Sequence, residues 1–302
     1  MSIINPSGKK IFSVTTDFCG RPLTLEVNRV GFRTTASVLV TYGDTVVLGS
    51  AMVGSRPVVL DYFPLSIDYE EKFYAAGRIS GSRYIKREGK PSDDAVLIGR
   101  IIDRPIRPLF PKGYRTEIQV VSTVLSMDPS FRPDMIAMIA SSAALMLTGT
   151  PFDGPVAGLR IGMVNGEYKA FLTPQERETS DIVAGTESGI TMVEAGANEV
   201  SEKVVTDALD WAFKMYQPAI ALQKELAEKV APEKQEYTLV LPNPDVQTEV
   251  DKWVDGKFGE AIRKPYPERN DLISTIRWAF HAEMTEKFGA EEYEKLHDEY
   301  DE

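Results

Sequence analysis

Cysteine and histidine are nearly missing from this sequence. Cys19 is the only cysteine, and His281 and His297, both close to the end of the chain, are the only histidines. One cysteine cannot form an internal disulfide or a cysteine-based zinc site, and its isolation is typical of a protein in a reducing cytoplasm. We do not expect a nucleophile that depends on a histidine base.

Long apolar segments are missing as well. The most apolar stretch, Met135 to Leu147, is too short to cross a bilayer and contains two serines, so it predicts a buried helix and no membrane partner. The opening residues, Met1 to Pro6, do not join a basic stretch to an apolar one, so no signal peptide is expected. With 43% hydrophobic and 26% charged residues, the composition is that of a soluble globular protein.

Positive charge is scarce overall but locally concentrated. The net charge of −11 by itself argues against a nucleic-acid partner. Between Arg78 and Arg115, however, ten Lys or Arg residues stand against four Asp or Glu residues. A basic segment of this kind can attract phosphate groups locally while the remaining surface stays acidic. The alternative is that these arginines only pair with neighbouring acids.

Strands and helices alternate along most of the chain. β-branched runs bounded by turn residues predict strands over 37–41, 45–53, 116–127, 160–164, 168–172, 181–185 and 190–194. Helices are predicted over 134–148 and 201–230, the second interrupted by Pro218. A further helix is expected to begin after Ser92 and to end near Arg104 because of Pro105, with an apolar stripe of Leu97, Ile98, Ile101 and Ile102.

The composition changes after a proline-rich segment at 241–244. From there the chain is charged, and its apolar residues recur at helical spacing, as in Leu272, Ile276, Phe280 and Met284. The sequence therefore predicts a mixed α/β (α+β) domain over residues 1–235 and a small all-α domain over residues 236–302.

Three arginines at the predicted helix carry the clearest chemical signal. Arg100 and Arg104 are four residues apart, which predicts one helix face, opposite Leu97 and Ile101. Arg107 follows the rigid Pro105. Guanidinium groups suit phosphate oxygens, and a fixed spacing suits a repeating phosphate backbone. The alternative is pairing with the nearby acids Asp93, Asp94 and Asp103.

An aromatic and basic segment precedes that helix. Tyr84, Ile85, Lys86 and Arg87 lie between two glycines, which predicts a loop with an aromatic ring beside two cations. Such a loop can stack a base and hold its backbone.

Several strings in this region resemble the polynucleotide phosphorylase family. They are Gly77-Arg78-Ile79, Lys86-Arg87-Glu88-Gly89-Lys90-Pro91-Ser92 and Ile102-Asp103-Arg104-Pro105-Ile106-Arg107-Pro108-Leu109-Phe110-Pro111. The resemblance is to the family's first RNase PH-like core domain. It runs from about residue 10 to residue 230, and a helical linker domain follows in the expected place.

The resemblance implies a homotrimer that degrades single-stranded RNA from its 3′ end during mRNA turnover. Inorganic phosphate attacks the terminal phosphodiester and releases a nucleoside diphosphate, with Mg²⁺ as the usual metal. The resemblance also implies that the RNA-binding residues are Arg78, Tyr84, Ile85, Lys86, Arg87, Arg100, Arg104 and Arg107.

The same resemblance implies that this chain does not carry the chemistry itself. In the family the catalytic residues belong to the second core domain. Here Asp181 stands at the position of one catalytic acid, but its partner position falls near Gln175 and the catalytic lysine position is Val183. We therefore expect no catalytic residue and no complete metal site in this chain, and a helical domain that is truncated at its C-terminus.

Two other hypotheses stay open at this point. One is a complete, non-catalytic RNA-binding subunit of an exosome-type ring. The other is a small-molecule enzyme on a related α/β fold, such as a kinase. The missing phosphate loop counts against the kinase, because the glycine spacing upstream of Lys90 is wrong for one.

Overall fold

The computed structural model describes residues 8–79, 89–173, 176, 181–196, 199–241, 243–289 and 293. It divides the chain into two compact units, Met1–Leu239 and Val240–Glu302. The boundary lies four residues beyond the one predicted from the sequence. The reason is that Leu239 forms a β-bridge with Tyr114 and the ring of Tyr237 contacts the ring of Tyr114, so both residues pack with the first unit.

A six-stranded sheet forms one layer of the first unit. Its strands follow the order β1-β2-β3-β4-β6-β5, and only the β5–β6 pair is parallel. Strand β6 lies between β4 and β5, which confirms the central strand predicted over 116–127. The strands are β1 (Phe12–Phe18), β2 (Arg21–Val27), β3 (Ala36–Tyr42), β4 (Thr45–Pro57), β5 (Leu65–Glu71) and β6 (Thr116–Ser126).

A second, four-stranded antiparallel sheet has the order β10-β9-β7-β8. Asn165 and Gly166 join β7 to β8 with φ angles of 54° and 84°, which is the turn that an Asn-Gly pair favours between antiparallel strands. The predicted bounds of β9 and β10 are confirmed. The four strands are β7 (Ala157–Val164), β8 (Glu167–Ala170), β9 (Asp181–Gly185) and β10 (Ile190–Glu194).

The helix α2 (Asp134–Met146) packs on the first sheet and is buried along almost its whole length, as its apolar sequence predicts. It approaches β4 very closely at Gly49. A Cβ atom added to Gly49 would lie 2.3 Å from the carbonyl oxygen of Ala140. Only glycine therefore fits at this point of the sheet.

The helix α1 (Asp93–Ile106) begins as predicted, because the Ser92 hydroxyl accepts a hydrogen bond from the amide of Ala95 at 3.2 Å. It does not end at Arg104. The amide of Arg107 donates to the carbonyl of Asp103 across Pro105, which carries the helix on to Ile106.

The helix α3 (Glu202–Val230) is also longer than the prolines predict. It continues through Pro218 without interruption. Its buried residues lie on both sides of that proline, among them Ala212 and Tyr216 before it and Ile220 and Leu226 after it. Burial of these side chains offsets the one backbone hydrogen bond that a proline removes.

The second unit is helical in its described residues, with α4 (Pro244–Val254), α5 (Phe258–Ala261) and α6 (Glu268–Phe288). Its core contains Val246, Phe280, Met284 and Tyr293, and the rings of Trp253 and Phe280 meet edge to face. Across the residues that the structure describes, no helix has the length and apolar content needed to span a membrane.

Candidate nucleic-acid interface

An open groove of about 490 Å³ lies between α1 and the second sheet. Four arginines and two carboxylates line it, which leaves an excess of two positive charges. Its lining residues come from α1, from the segment before α2, and from β7, β9 and β10. They are Asp94, Leu97, Ile98, Arg100, Ile101, Arg104, Arg132, Arg160, Ile182 and Glu194. We call this feature the arginine groove.

Helix α1 places two arginines in the groove by its own periodicity. Its buried face carries Ile98, Ile102 and Ile106. The adjacent face carries Leu97, Arg100, Ile101 and Arg104, at intervals of three and four residues. The prediction that Arg100 and Arg104 lie opposite Leu97 and Ile101 is therefore wrong. Leu97 is also 57% exposed rather than part of the buried stripe.

Arg104 has an acidic partner across the groove. Its Nη1 atom donates to Oε2 of Glu194, at the end of β10, over 3.1 Å. The two side chains are 58% and 51% exposed, so solvent screens this pair strongly. For Arg100 the described residues contain no ion-pair partner. Arg100 and Arg104 thus both present guanidinium nitrogens that an incoming phosphate can reach.

The other two arginines of the groove also have acidic partners, and that of Arg160 is buried. Arg160 on β7 donates from Nε and Nη2 to Oδ2 of Asp134, at 3.2 and 2.6 Å. Asp134 is only 1% exposed, and its second oxygen accepts from the amide of Met135. Arg132 pairs with Asp94 at 3.3 Å. The buried pair fixes the floor of the groove, because removing either partner would leave an uncompensated charge.

Arg107 does not belong to this groove. Its Nε and Nη2 atoms donate to the two carboxylate oxygens of Asp103, both at 2.9 Å. Its Nη1 and Nη2 atoms also donate to the carbonyls of Phe63 and Leu65, at 3.0 and 2.8 Å. The guanidinium therefore joins the end of α1 to the start of β5, and the alternative reading of a paired, structural arginine applies to it.

Among the other predicted RNA-binding residues, Arg78 is described by the structure and does not line the groove. Arg78 lines a separate cavity of about 560 Å³, which Lys72, Lys90 and Ser92 also line. Tyr84, Ile85, Lys86 and Arg87 lie outside the described residues. Of the four predicted residues that the structure describes, Arg100 and Arg104 line the groove, whereas Arg78 and Arg107 do not.

The described residues contain no cluster of three or more His, Cys, Asp or Glu side chains that could hold a metal ion. Val183, at the position that the family gives to a lysine, is fully buried in the core. Gln175 lies outside the described residues, so the predicted partner position of Asp181 has no structural description.

Burial keeps one thiol and three phenol groups neutral. Burial, and secondarily the negative charge of Asp17, raise the pKa of the Cys19 thiol to about 12. Burial also raises the pKa of Tyr42, Tyr69 and Tyr216. These groups therefore offer no thiolate or phenolate at neutral pH.

Sequence reasoning missed three polar residues of the groove, which are Arg132, Arg160 and Glu194. Arg160 and Glu194 fall in predicted strands, where nothing marks one charged residue as functional. Arg104 and Glu194 are 90 positions apart in the chain. Only the way in which the second sheet packs beside α1 makes them neighbours.

The sequence profile of the 3′ exoribonuclease family, domain 1, also called RNase PH, matches residues 20–151. Rice (Oryza sativa) Rrp46 has a similar fold, with a TM-score of 0.56 at 15% identity over 69% of this chain and 95% of that chain. Residues 20–151, within the unit Met1–Leu239, thus match the first domain of the RNase PH family.

More specific similarity covers most of the chain. A polyribonucleotide nucleotidyltransferase from Geobacillus kaustophilus is 41% identical over 288 residues, which are 94% of this chain and 39% of that protein. One from Anoxybacillus flavithermus is 45% identical over 260 residues, or 85% of this chain and 37% of that protein. The chain thus resembles polyribonucleotide nucleotidyltransferases and spans about two fifths of the length of these relatives.

Proposed function

We propose that this chain is the RNA-holding part of a polyribonucleotide nucleotidyltransferase, a phosphorolytic 3′→5′ exoribonuclease of mRNA turnover. Two observations support this. The two relatives of this name described above are 41% and 45% identical over 94% and 85% of the chain. The arginine groove supplies the chemistry that an RNA backbone needs.

The arginine groove is the observation that carries the proposal. Its four guanidinium groups come from α1, from the segment before α2 and from β7, so the fold itself assembles them. Guanidinium groups bind phosphate oxygens through paired N–H donors. Leu97, Ile101 and Ile182 add apolar surface beside these charges. This combination suits a flexible single strand, whose phosphates bind the arginines while its bases and sugars cover the apolar rim.

Phosphorolysis itself belongs, in this proposal, to another part of the whole enzyme. Mg²⁺ and inorganic phosphate act there, and the active assembly is a cytoplasmic homotrimer. Support for a non-catalytic role comes from Val183, whose buried apolar side chain stands where the family's lysine is expected. The segment with Tyr84, Ile85, Lys86 and Arg87, together with Arg78, is proposed as a second RNA contact.

Binding of a short, fluorescein-labelled, single-stranded RNA to the 302-residue chain tests the groove. We expect the Arg100→Ala, Arg104→Ala double variant to bind at least about tenfold more weakly, since each charge-assisted contact is worth about 1.5–3 kcal/mol. The Arg29→Ala, Arg33→Ala variant is the matched control, because both arginines are exposed and neither lines the groove. Equal losses in the two variants would sink the proposed site.

A Lys86→Ala, Arg87→Ala variant tests the second contact in the same assay, and weaker binding is expected. A parallel reaction with inorganic phosphate and Mg²⁺ tests the non-catalytic role. No nucleoside diphosphate should be released by the chain alone. A catalytically dead full-length relative, purified in the same way, is the control for contaminating enzyme. Release of nucleoside diphosphate by the chain but not by this control would show that the chemistry lies in this chain.

A further inference from the structure

The ion pair between Arg104 and Glu194 is the feature that the proposed function does not use. Glu194 lines the arginine groove, and its carboxylate binds the guanidinium that an RNA phosphate would bind. It reaches only one nitrogen of Arg104, Nη1, at 3.1 Å. Both side chains are about half exposed, so the pair is held weakly and can be exchanged.

A tethered carboxylate and a free anion compete for Arg104 on unequal terms. Glu194 is fixed at the end of β10 beside its partner, so its effective concentration at Arg104 exceeds that of a dilute free anion. A single phosphate ion must therefore displace the Glu194 carboxylate without the advantage of a second, linked contact. An RNA strand that has one phosphate bound to Arg100 holds its next phosphate close to Arg104. The effective concentration of that second phosphate at Arg104 is then comparable to that of the Glu194 carboxylate.

We propose that Glu194 is a specificity-determining residue of the arginine groove, which makes the groove favour a chain of linked phosphates over single anions. The proposal rests on the proposed function, because it concerns the same groove. Asp94 has a related place beside Arg132, but that pair lies at the start of α1, where an acid also stabilises the helix. Glu194 has no such second role, so its substitution gives the cleaner test.

The Glu194→Gln variant frees Arg104 while keeping the size and polarity of the side chain. We expect it to bind the labelled single-stranded RNA about two- to fivefold more tightly at low salt, the range that an exposed ion pair is worth. The affinity of the groove for inorganic phosphate should increase by a larger factor than its affinity for RNA. The concentration of phosphate that displaces half of the bound RNA is therefore expected to fall in the variant.

Glu187→Gln is the matched control, because it removes one acid from the turn after β9 that pairs with Lys224 and does not line the groove. Glu187→Gln should change neither the RNA affinity nor the phosphate concentration that displaces half of the bound RNA. An Arg104→Ala background gives the second control. If Glu194 acts through Arg104, then Glu194→Gln should have no effect on RNA affinity once Arg104 is alanine.

The outcomes separate the inference from the proposed function. Weaker RNA binding by Glu194→Gln would mean that Glu194 positions Arg104, and the inference would be wrong. Unchanged binding, with a clear loss in Arg100→Ala, Arg104→Ala, would also overturn the inference and leave the proposed function in place. Unchanged binding in both variants would overturn both. Thermal unfolding of each variant shows that the differences do not come from misfolding.

Discussion

The two arginines at the end of α1 show how similar side chains acquire different roles. Arg104 is 58% exposed and has a single, screened acidic partner. Arg107, three residues later, bonds to the carboxylate of Asp103 and to two backbone carbonyls. From the sequence alone the two arginines cannot be distinguished, because both belong to the same basic motif. Hydrogen-bond partners, rather than residue type, distinguish Arg104, which is proposed to bind RNA, from the structural Arg107.

Replacement of Arg107 by alanine should lower stability and leave RNA binding nearly intact. Loss of its bonds to Asp103 and to the carbonyls of Phe63 and Leu65 is expected to cost about 2 kcal/mol. Urea unfolding gives the free energy, and anisotropy gives the RNA affinity, which should stay within about twofold of wild type. A large loss of RNA affinity without a loss of stability would restore Arg107 to the binding surface.

Cys19 should behave as an inert thiol in the folded chain. Its pKa is raised to about 12 by burial and by Asp17, against an ordinary value of 9.0. Below pH 9 the thiol is neutral in both states, so its contribution to stability is intact. As the pH rises from about 9 to 12, only the unfolded chain loses the proton, and stability falls.

Reaction with a chromogenic disulfide reagent at pH 8 tests this. Ionisation alone should make Cys19 in the native chain at least about a hundredfold slower to react than in the urea-unfolded chain. Equal rates in the two states would show that the thiol is accessible and ionises normally.

At the scale of elements, α2 approaches β4 very closely at Gly49. Gly49→Ala would place a Cβ atom 2.3 Å from the Ala140 carbonyl, and the backbone of a buried helix cannot easily move away. We expect a loss of about 3 kcal/mol in the free energy of unfolding. Gly54→Ala, on the same strand, meets its nearest atom at 3.4 Å and should change stability by less than about 1 kcal/mol. Equal effects would contradict this packing.

The elements whose formation depends on local chemistry were predictable from the sequence. Ser92 caps α1 because its hydroxyl accepts a hydrogen bond from a backbone amide of the first turn. Asn165 and Gly166 form the turn between β7 and β8 because both residue types tolerate a positive φ angle. Pro105 and Pro218 misled the prediction, since burial on both sides of each proline holds its helix together. Tertiary packing therefore outweighs the low helix propensity of proline at these two positions.

At the scale of the whole molecule, the groove is a product of topology. The first sheet and α2 set the position of α1, and the second sheet brings Arg160, Ile182 and Glu194 against it. Ile182 lies between Asp181 and Val183, which the family resemblance marks, but Arg160 and Glu194 lie in no motif that the sequence marks. The sequence could therefore predict the two helical arginines, but not the partners that complete the groove or the acid that opposes Arg104.

The salt dependence of RNA binding tests the central claim most directly. The affinity of the 302-residue chain for a single-stranded RNA would be measured from low to moderate salt, in wild type and in Arg100→Ala, Arg104→Ala. Each phosphate contact on a single strand contributes about 0.7 to the slope of log affinity against log salt concentration. We predict that the double variant has a slope smaller by about 1.4. An unchanged slope would show that RNA does not bind in the arginine groove.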